Sequence, residues 1–142
     1  MRLLLVRHGE AAPGEPDALR PLTPAGRESA RRLGLQLATG GVRPDVVLTS
    51  PLLRARETGR EIARATSAPE ETDERLEPGA TAADVRAAIE GRGDVVVVVG
   101  HQPDCGRIAA ELQGGTEHPF PAGTMVEIEL AGWAADRRPA GR

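Results

Sequence analysis

Asp94-Val95-Val96-Val97-Val98-Val99-Gly100-His101 decides the fold of this chain. Five valines follow one another with no polar residue between them, so a strand built from them is apolar on both faces. β-branched side chains favour extended backbone, and a strand apolar on both faces belongs at the centre of a parallel sheet covered by helices on either side. The run ends at Gly100 and a histidine, His101, follows at once, ahead of Gln102-Pro103. Two other stretches share this plan. Arg2-Leu3-Leu4-Leu5-Val6 reads as a first buried strand leading into Arg7-His8-Gly9, and Asp45-Val46-Val47-Leu48-Thr49 as another leading into Ser50-Pro51.

Between the strands the pattern is helical. Thr23-Pro24 supplies an N-cap and a proline at the first helical position; Ala30, Leu33 and Leu37 form an apolar stripe, and Gly40-Gly41 close the helix. Ser50-Pro51 repeats the cap-and-proline signature and opens a helix through about residue 65, with Arg54 in its first turn. Residues 66–78 are polar and acidic and read as irregular, with a short extended piece at Arg75-Leu76. Thr81-Ala82-Ala83-Asp84 is a capping box for a third helix, with Val85, Ala88 and Ile89 inward. Cys105, Ile108, Ala109 and Leu112 make the apolar face of a fourth, so Cys105 reads as a small buried hydrophobe. Val126, Ile128 and Leu130 alternate with Glu127 and Glu129, the pattern of an edge strand with one wet face. His118 reads as a surface residue of the loop 114–123, and residues 131–142, with little to bury beyond Trp133, read as a tail that frays. The order β-α-β-α-α-β-α-β predicts one α/β domain over residues 1–142: a mostly parallel sheet sandwiched by helices, with an antiparallel edge strand.

Composition narrows the function. The chain has 142 residues, a formal net charge of −3, no Tyr, and one each of Phe, Trp and Cys. Without a basic field or stacking aromatics, a nucleic-acid partner is not expected. One cysteine makes no intramolecular disulfide, and the four-residue apolar run near the N-terminus is too short for a signal peptide or a membrane span. A cytoplasmic protein with no membrane association is expected, and a monomer is favoured.

Ligands of open α/β sheets bind at the carboxyl ends of the strands, so Arg7, His8, Arg54 and His101 should gather along one rim. Arg54 meets the positive end of a helix dipole, an arrangement that a bound anion would make favourable. Two arginines and two histidines form a cationic cup whose natural occupant is a phosphoryl group, because guanidinium forks match phosphate oxygens and stabilise the charge that spreads over them during transfer. A histidine attacks phosphorus when it is neutral at the attacking nitrogen and its other nitrogen donates a hydrogen bond, often to a backbone carbonyl. Zinc is the competing use of two histidines, but further ligands at suitable spacing are missing, so neither metal nor cofactor is expected. Glu10, Glu15, Asp17 and Arg20 in the loop 10–22, and Arg56 and Arg60 further on, read as solvated charges.

With these residues in order, the chain resembles the histidine phosphatase superfamily, also called the phosphoglycerate mutase-like family. Arg7-His8-Gly9 after the first strand matches the family signature. The segment from Asp17-Ala18-Leu19-Arg20-Pro21-Leu22-Thr23-Pro24 to Ala25-Gly26 is similar to its pre-helix segment, Ser50-Pro51-Leu52-Leu53-Arg54-Ala55-Arg56-Glu57-Thr58 to its second arginine motif, and Val99-Gly100-His101 to its second histidine. The resemblance spans about residues 1–130. It implies a phosphoglycerate mutase-like fold, with His8 as nucleophile forming a phosphohistidine intermediate that water hydrolyses. Arg7 and Arg54 would clamp the phosphoryl oxygens and His101 would complete the pocket.

Family members acting on phosphate esters usually carry an acid for the leaving oxygen, and here only Asp17 and Glu77 are candidates. The chain also lacks insertions that roof the pocket. Both departures resemble the small phosphohistidine phosphatases, the SixA-type branch, and imply a phosphohistidine-bearing partner protein as substrate. A small phosphate ester as substrate, or a non-catalytic phosphate- or phosphoprotein-binding module, are the alternatives. Mutase activity is disfavoured, since water reaches an open site first.

Overall fold

The structure, a computed structural model, describes residues 1–117 and 119–130; His118, Trp133 and the tail 131–142 lie outside the described residues. Among the described residues five strands form one sheet: β1 (Arg2–Arg7), β2 (Val46–Thr49), β3 (Glu70–Thr72), β4 (Val95–Gly100) and β5 (Met125–Glu129), in the order β3-β2-β4-β1-β5. The valine strand β4 is central. It pairs in parallel with β1 and β2, β3 lies parallel to β2, and β5 runs antiparallel to β1 at the far edge.

Alternate residues of the central strands feed two separate cores. Leu3, Leu5, Val46, Leu48, Val96 and Val98 pack against α3 (Ala82–Ile89) and α4 (Asp104–Gln113). Leu4, Val6, Val47, Val97 and Val99 face α1 (Pro24–Thr39) and α2 (Leu53–Thr66). Each fully buried Val or Leu is worth about 1.5–3 kcal/mol against exposure, so the four buried valines Val96 to Val99 anchor the centre from both sides.

The helix starts show which local signals operate. Thr23 caps α1 by accepting from Gly26 N, with Pro24 at the first position, and Thr81 and Asp84 form the reciprocal capping box of α3. Ser50 does not cap α2. That helix begins at Leu53, and Ser50 stays at the end of β2, its Oγ accepting from Leu52 N at 3.2 Å. Residues 66–78 also depart from expectation. Glu70–Thr72 forms β3, held by backbone bonds that include Val47 N to Pro69 O (2.9 Å) and Asp73 N to Thr49 O (2.9 Å). The extended piece expected at Arg75-Leu76 is instead a 3-10 turn, Glu74–Leu76, which Asp73 caps and which buries Leu76 in the core.

Candidate active site

Topology alone gathers the site. The helix after β1 packs on one face of the sheet and the helix after β4 on the other, so the chain diverges between these adjacent parallel strands. Such a switch point leaves a crevice at the strands' carboxyl ends. Register puts Arg7 opposite Gly100, and His8 N donates to Gly100 O at 3.1 Å. His8 and His101, each one residue past its strand, therefore stand side by side with ring centroids 5.2 Å apart and planes tilted by 58°.

Each side chain is held by identifiable neighbours. His8 Nδ1 lies 2.7 Å from Gly9 O; a carbonyl only accepts, so the proton sits on Nδ1 and Nε2 keeps its lone pair. Burial pushes the His8 pKa down to about 4; the Gly9 bond opposes this, and the charges of Arg54, Arg7 and Arg20 add to it. His101 is 4% exposed, with Nε2 2.7 Å from Ser50 Oγ. Burial, then His8 and Arg54, bring its pKa down to about 4. Both rings are thus neutral at pH 7.

Arg7 ends β1 and donates from Nη1 to Phe120 O at 3.0 Å. The loop before β5 straps this segment down, Gly123 N donating to both Arg7 O and His8 O. On the other side Gly9 N donates to Thr58 Oγ1 at 3.0 Å, and Thr58 Oγ1 donates to Arg54 O at 2.8 Å, so one hydroxyl joins the loop after β1 to the first turn of α2. Close approach of the loop to α1 requires glycine twice. A Cβ on Gly9 would lie 2.8 Å from Gly26 O, and one on Gly26 would overlap Glu10 O.

Arg54 does not swing out to solvent. It is 7% exposed, and its guanidinium donates to Asp17 O at 2.9 Å and to Asp17 Oδ2 at 3.1 Å. The anion beside this helix start is therefore Asp17, and Asp17 and Arg20 are not simple solvated charges. Asp17 also pairs through Oδ1 with Arg20 at 3.0 Å, and the bonds from Arg20 and then Arg54 hold its carboxyl below the ordinary value. A carboxylate kept ionised in this way is a poor proton donor. Glu77 is exposed, and among the described residues its carboxylate makes no hydrogen bond or ion pair with the four cup residues. Its turn lies against the His101 side, Gly79 N donating to Asp104 Oδ2 at 2.6 Å. Arg56 donates to Pro51 O and Arg60 pairs loosely with Glu70, both away from the cup.

Sequence reasoning brought together Arg7, His8, Arg54 and His101 and missed three supports: Ser50, Thr58 and the Asp17–Arg54 pair. Thr58 carried a signal, standing four residues after Arg54 on the same helix face. Ser50 looked like a cap, and nothing local distinguishes that use from a bond to a residue 51 positions away. Cys105 is buried as expected, its thiol pushed up to about 12 chiefly by burial. Among the described residues no three His, Cys, Asp or Glu side chains group as metal ligands.

An arginine-histidine cup at the switch point of a mostly parallel α/β sheet carries donors that suit a small oxyanion. The family comparison is specific: the model of the histidine phosphatase superfamily (branch 1) matches residues 3–78, and the chain belongs to this superfamily. Phosphohistidine phosphatase SixA of Escherichia coli (strain K12) is 32% identical over 138 residues, covering 92% of this chain and 86% of that protein. A solved structure of the protein histidine phosphatase SixA complexed with tungstate superposes with a TM-score of 0.78 at 27% identity, covering 93% of this chain and 99% of the other. The mycobacterial glucosyl-3-phosphoglycerate phosphatase, at 18% identity and a TM-score of 0.66 over 90% of each chain, shares the fold.

Proposed function

We propose that this chain is a metal-independent phosphohistidine phosphatase acting on a partner protein, with His8 as the nucleophile. One observation carries the reading. Among the described residues, the buried side-chain nitrogen and oxygen atoms without a hydrogen-bond partner are Arg7 Nε and His101 Nδ1, and both belong to the cup. A buried polar group left unpaired costs about 1–3 kcal/mol, so two at one place point to a ligand that supplies acceptors, and phosphoryl oxygens do so.

In the proposed reaction the His8 Nε2 lone pair forms a bond to phosphorus while the bond from phosphorus to the substrate's imidazole nitrogen breaks, its electron pair leaving with the imidazole. Arg7, Arg54 and His101 stabilise the charge on the three spectator oxygens. Water then attacks the phosphorylated His8, releasing inorganic phosphate and restoring the ring. An imidazole whose other nitrogen carries a proton leaves as a neutral molecule. An alkoxide has no such route, so a site whose Arg54-bound carboxylate, Asp17, is held ionised by two arginines suits the nitrogen leaving group better. Leu19, 57% exposed on the same short turn as Asp17, offers the rim an apolar contact for a protein-borne substrate.

The test compares wild type and His8→Ala on a phosphohistidine-bearing carrier protein and on a panel of phosphate monoesters, with chelator present. Wild type should release phosphate from the carrier fastest, and His8→Ala should lose about 10³-fold or more. Activity retained in His8→Ala defeats the nucleophile assignment. Faster turnover of the esters moves the substrate class to a phosphate ester, and phosphate binding without turnover of any substrate leaves a binding module.

A further inference from the structure

We propose that Ser50 is a positioning residue that fixes the tautomer of His101, so that His101 meets the phosphoryl group with an N–H at Nδ1 instead of a lone pair. The proposal rests on the phosphatase reading above and adds a member to its machinery.

Proton counting carries the argument. Ser50 is 0% exposed, and among the described residues its Oγ has two hydrogen-bond partners: Leu52 N–H, which can only donate, at 3.2 Å, and His101 Nε2 at 2.7 Å. The hydroxyl owns one proton and must place it. If that proton goes to His101 Nε2, the oxygen accepts from Leu52, donates to the ring, and is satisfied on both counts. Nε2 then acts as acceptor, and the single proton of the neutral ring resides on Nδ1. In the reverse arrangement Nε2–H donates to Oγ, the oxygen receives two donors, and its own proton is buried with no acceptor. That arrangement also leaves the unpaired Nδ1 as a bare lone pair directed at no donor. The first arrangement strands one group and the second strands two.

The one group stranded in the first case, Nδ1–H, is a donor of the kind a phosphoryl oxygen pairs with. The neighbouring ring has the complementary state. His8 carries its proton on Nδ1 because of Gly9 O and keeps Nε2 bare. The backbone carbonyl thus makes one histidine a nucleophile, and the serine hydroxyl makes the other a hydrogen-bond donor, 5.2 Å away. The identical ring type serves two roles because its two partners differ in polarity. Ser50 is itself well fixed, since its backbone N donates to Val99 O at 3.1 Å, on the strand that carries His101.

Histidine-selective ¹⁵N labelling reads the tautomer directly from long-range ¹H–¹⁵N correlations at pH 7, with His101→Gln used to assign the signal. Wild type should show His101 protonated at Nδ1. Ser50→Ala should shift it toward the Nε2-protonated form and lower kcat about 100-fold with KM changed much less, the size of effect seen when one transition-state donor is lost. Ser50→Thr, which keeps the hydroxyl, should restore both. A wild-type His101 protonated at Nε2 overturns the proposal, as does a folded Ser50→Ala that keeps the Nδ1–H form and wild-type kcat. If Ser50→Ala does not fold, the wild-type spectrum decides alone. Failure of the phosphatase reading is distinguishable, because it removes turnover from wild type while leaving the tautomer to be read.

Discussion

Both cup histidines should make the protein lose stability in mild acid, before its carboxylates protonate. In the unfolded chain each ring binds a proton near pH 6.5, whereas in the folded protein protonation waits until about pH 4. Between these values the unfolded state holds more protons, so stability rises with pH and falls as pH drops. The contribution is absent above pH 6.5, grows through the window, and is complete below pH 4. A shift from 6.5 to about 4 corresponds to about 3 kcal/mol for one ring at 1.36 kcal/mol per unit. His8 is only half-buried, and screening by solvent reduces its share to about 1–2 kcal/mol. His101 is buried, but part of its shift is the charge of His8, so the two do not add in full and the pair contributes about 2–4 kcal/mol. Asp17, Asp73, Glu28 and Glu127 are held below their ordinary values, and their contribution is lost only as pH falls below about 4.5. Urea unfolding from pH 7.5 to 4.5, followed by far-UV circular dichroism, therefore isolates the histidines. The midpoint should fall by about 1–2 M urea across the window in wild type and by about half as much in His8→Gln. A flat wild-type profile, or an identical slope in His8→Gln, refutes the reasoning.

Three other outcomes follow from the site and its supports. Asp17→Asn removes the carboxylate shared by Arg54 and Arg20, and calorimetry should find inorganic phosphate bound several-fold more tightly; weaker binding would show that Asp17 assists the anion instead of competing with it. Gly26→Ala drives a methyl into the Glu10 backbone, which the loop relieves only by moving; overpacking of about 2–3 kcal/mol should lower Tm by about 8 °C in a thermal melt. A melt within 1 °C of wild type would show that the loop yields freely. Cys105, 1% exposed with its thiol pushed up to about 12, should stay unmodified by a disulfide reagent at pH 8 in the folded protein and react at once in urea; rapid native labelling would contradict its burial.

How far the fold could be read from the sequence depended on whether the signal was local. The valine run, the leucines of β1 and the capping residues Thr23 and Thr81 each state their element within a few neighbours, and they match the structure. β3 was illegible because two of its three residues, Glu70 and Glu71, disfavour strands and none of the three has a buried face; the strand exists because β2 offers a backbone ladder. The cup residues were legible because each directly follows a buried strand or opens the next helix, so the parallel sheet brings them together. Their partners were not, since Ser50–His101, Gly9–Thr58 and Asp17–Arg54 join residues 37 to 51 positions apart. An ion pair formed across a folded crevice leaves no periodicity behind.

β3 has a consequence for the molecule's neighbours. A terminal strand with a free row of backbone donors and acceptors invites another chain to extend the sheet. Here that strand is three residues long, and two of them are glutamates: Glu70 near Arg60 at 3.8 Å and Glu71 bound to Arg92 at 2.6 Å. A second copy laid against it would place glutamate beside glutamate, and three residues offer too few hydrogen bonds to offset that repulsion. The feature hardest to recognise as a strand is for the same reason the one least able to template aggregation.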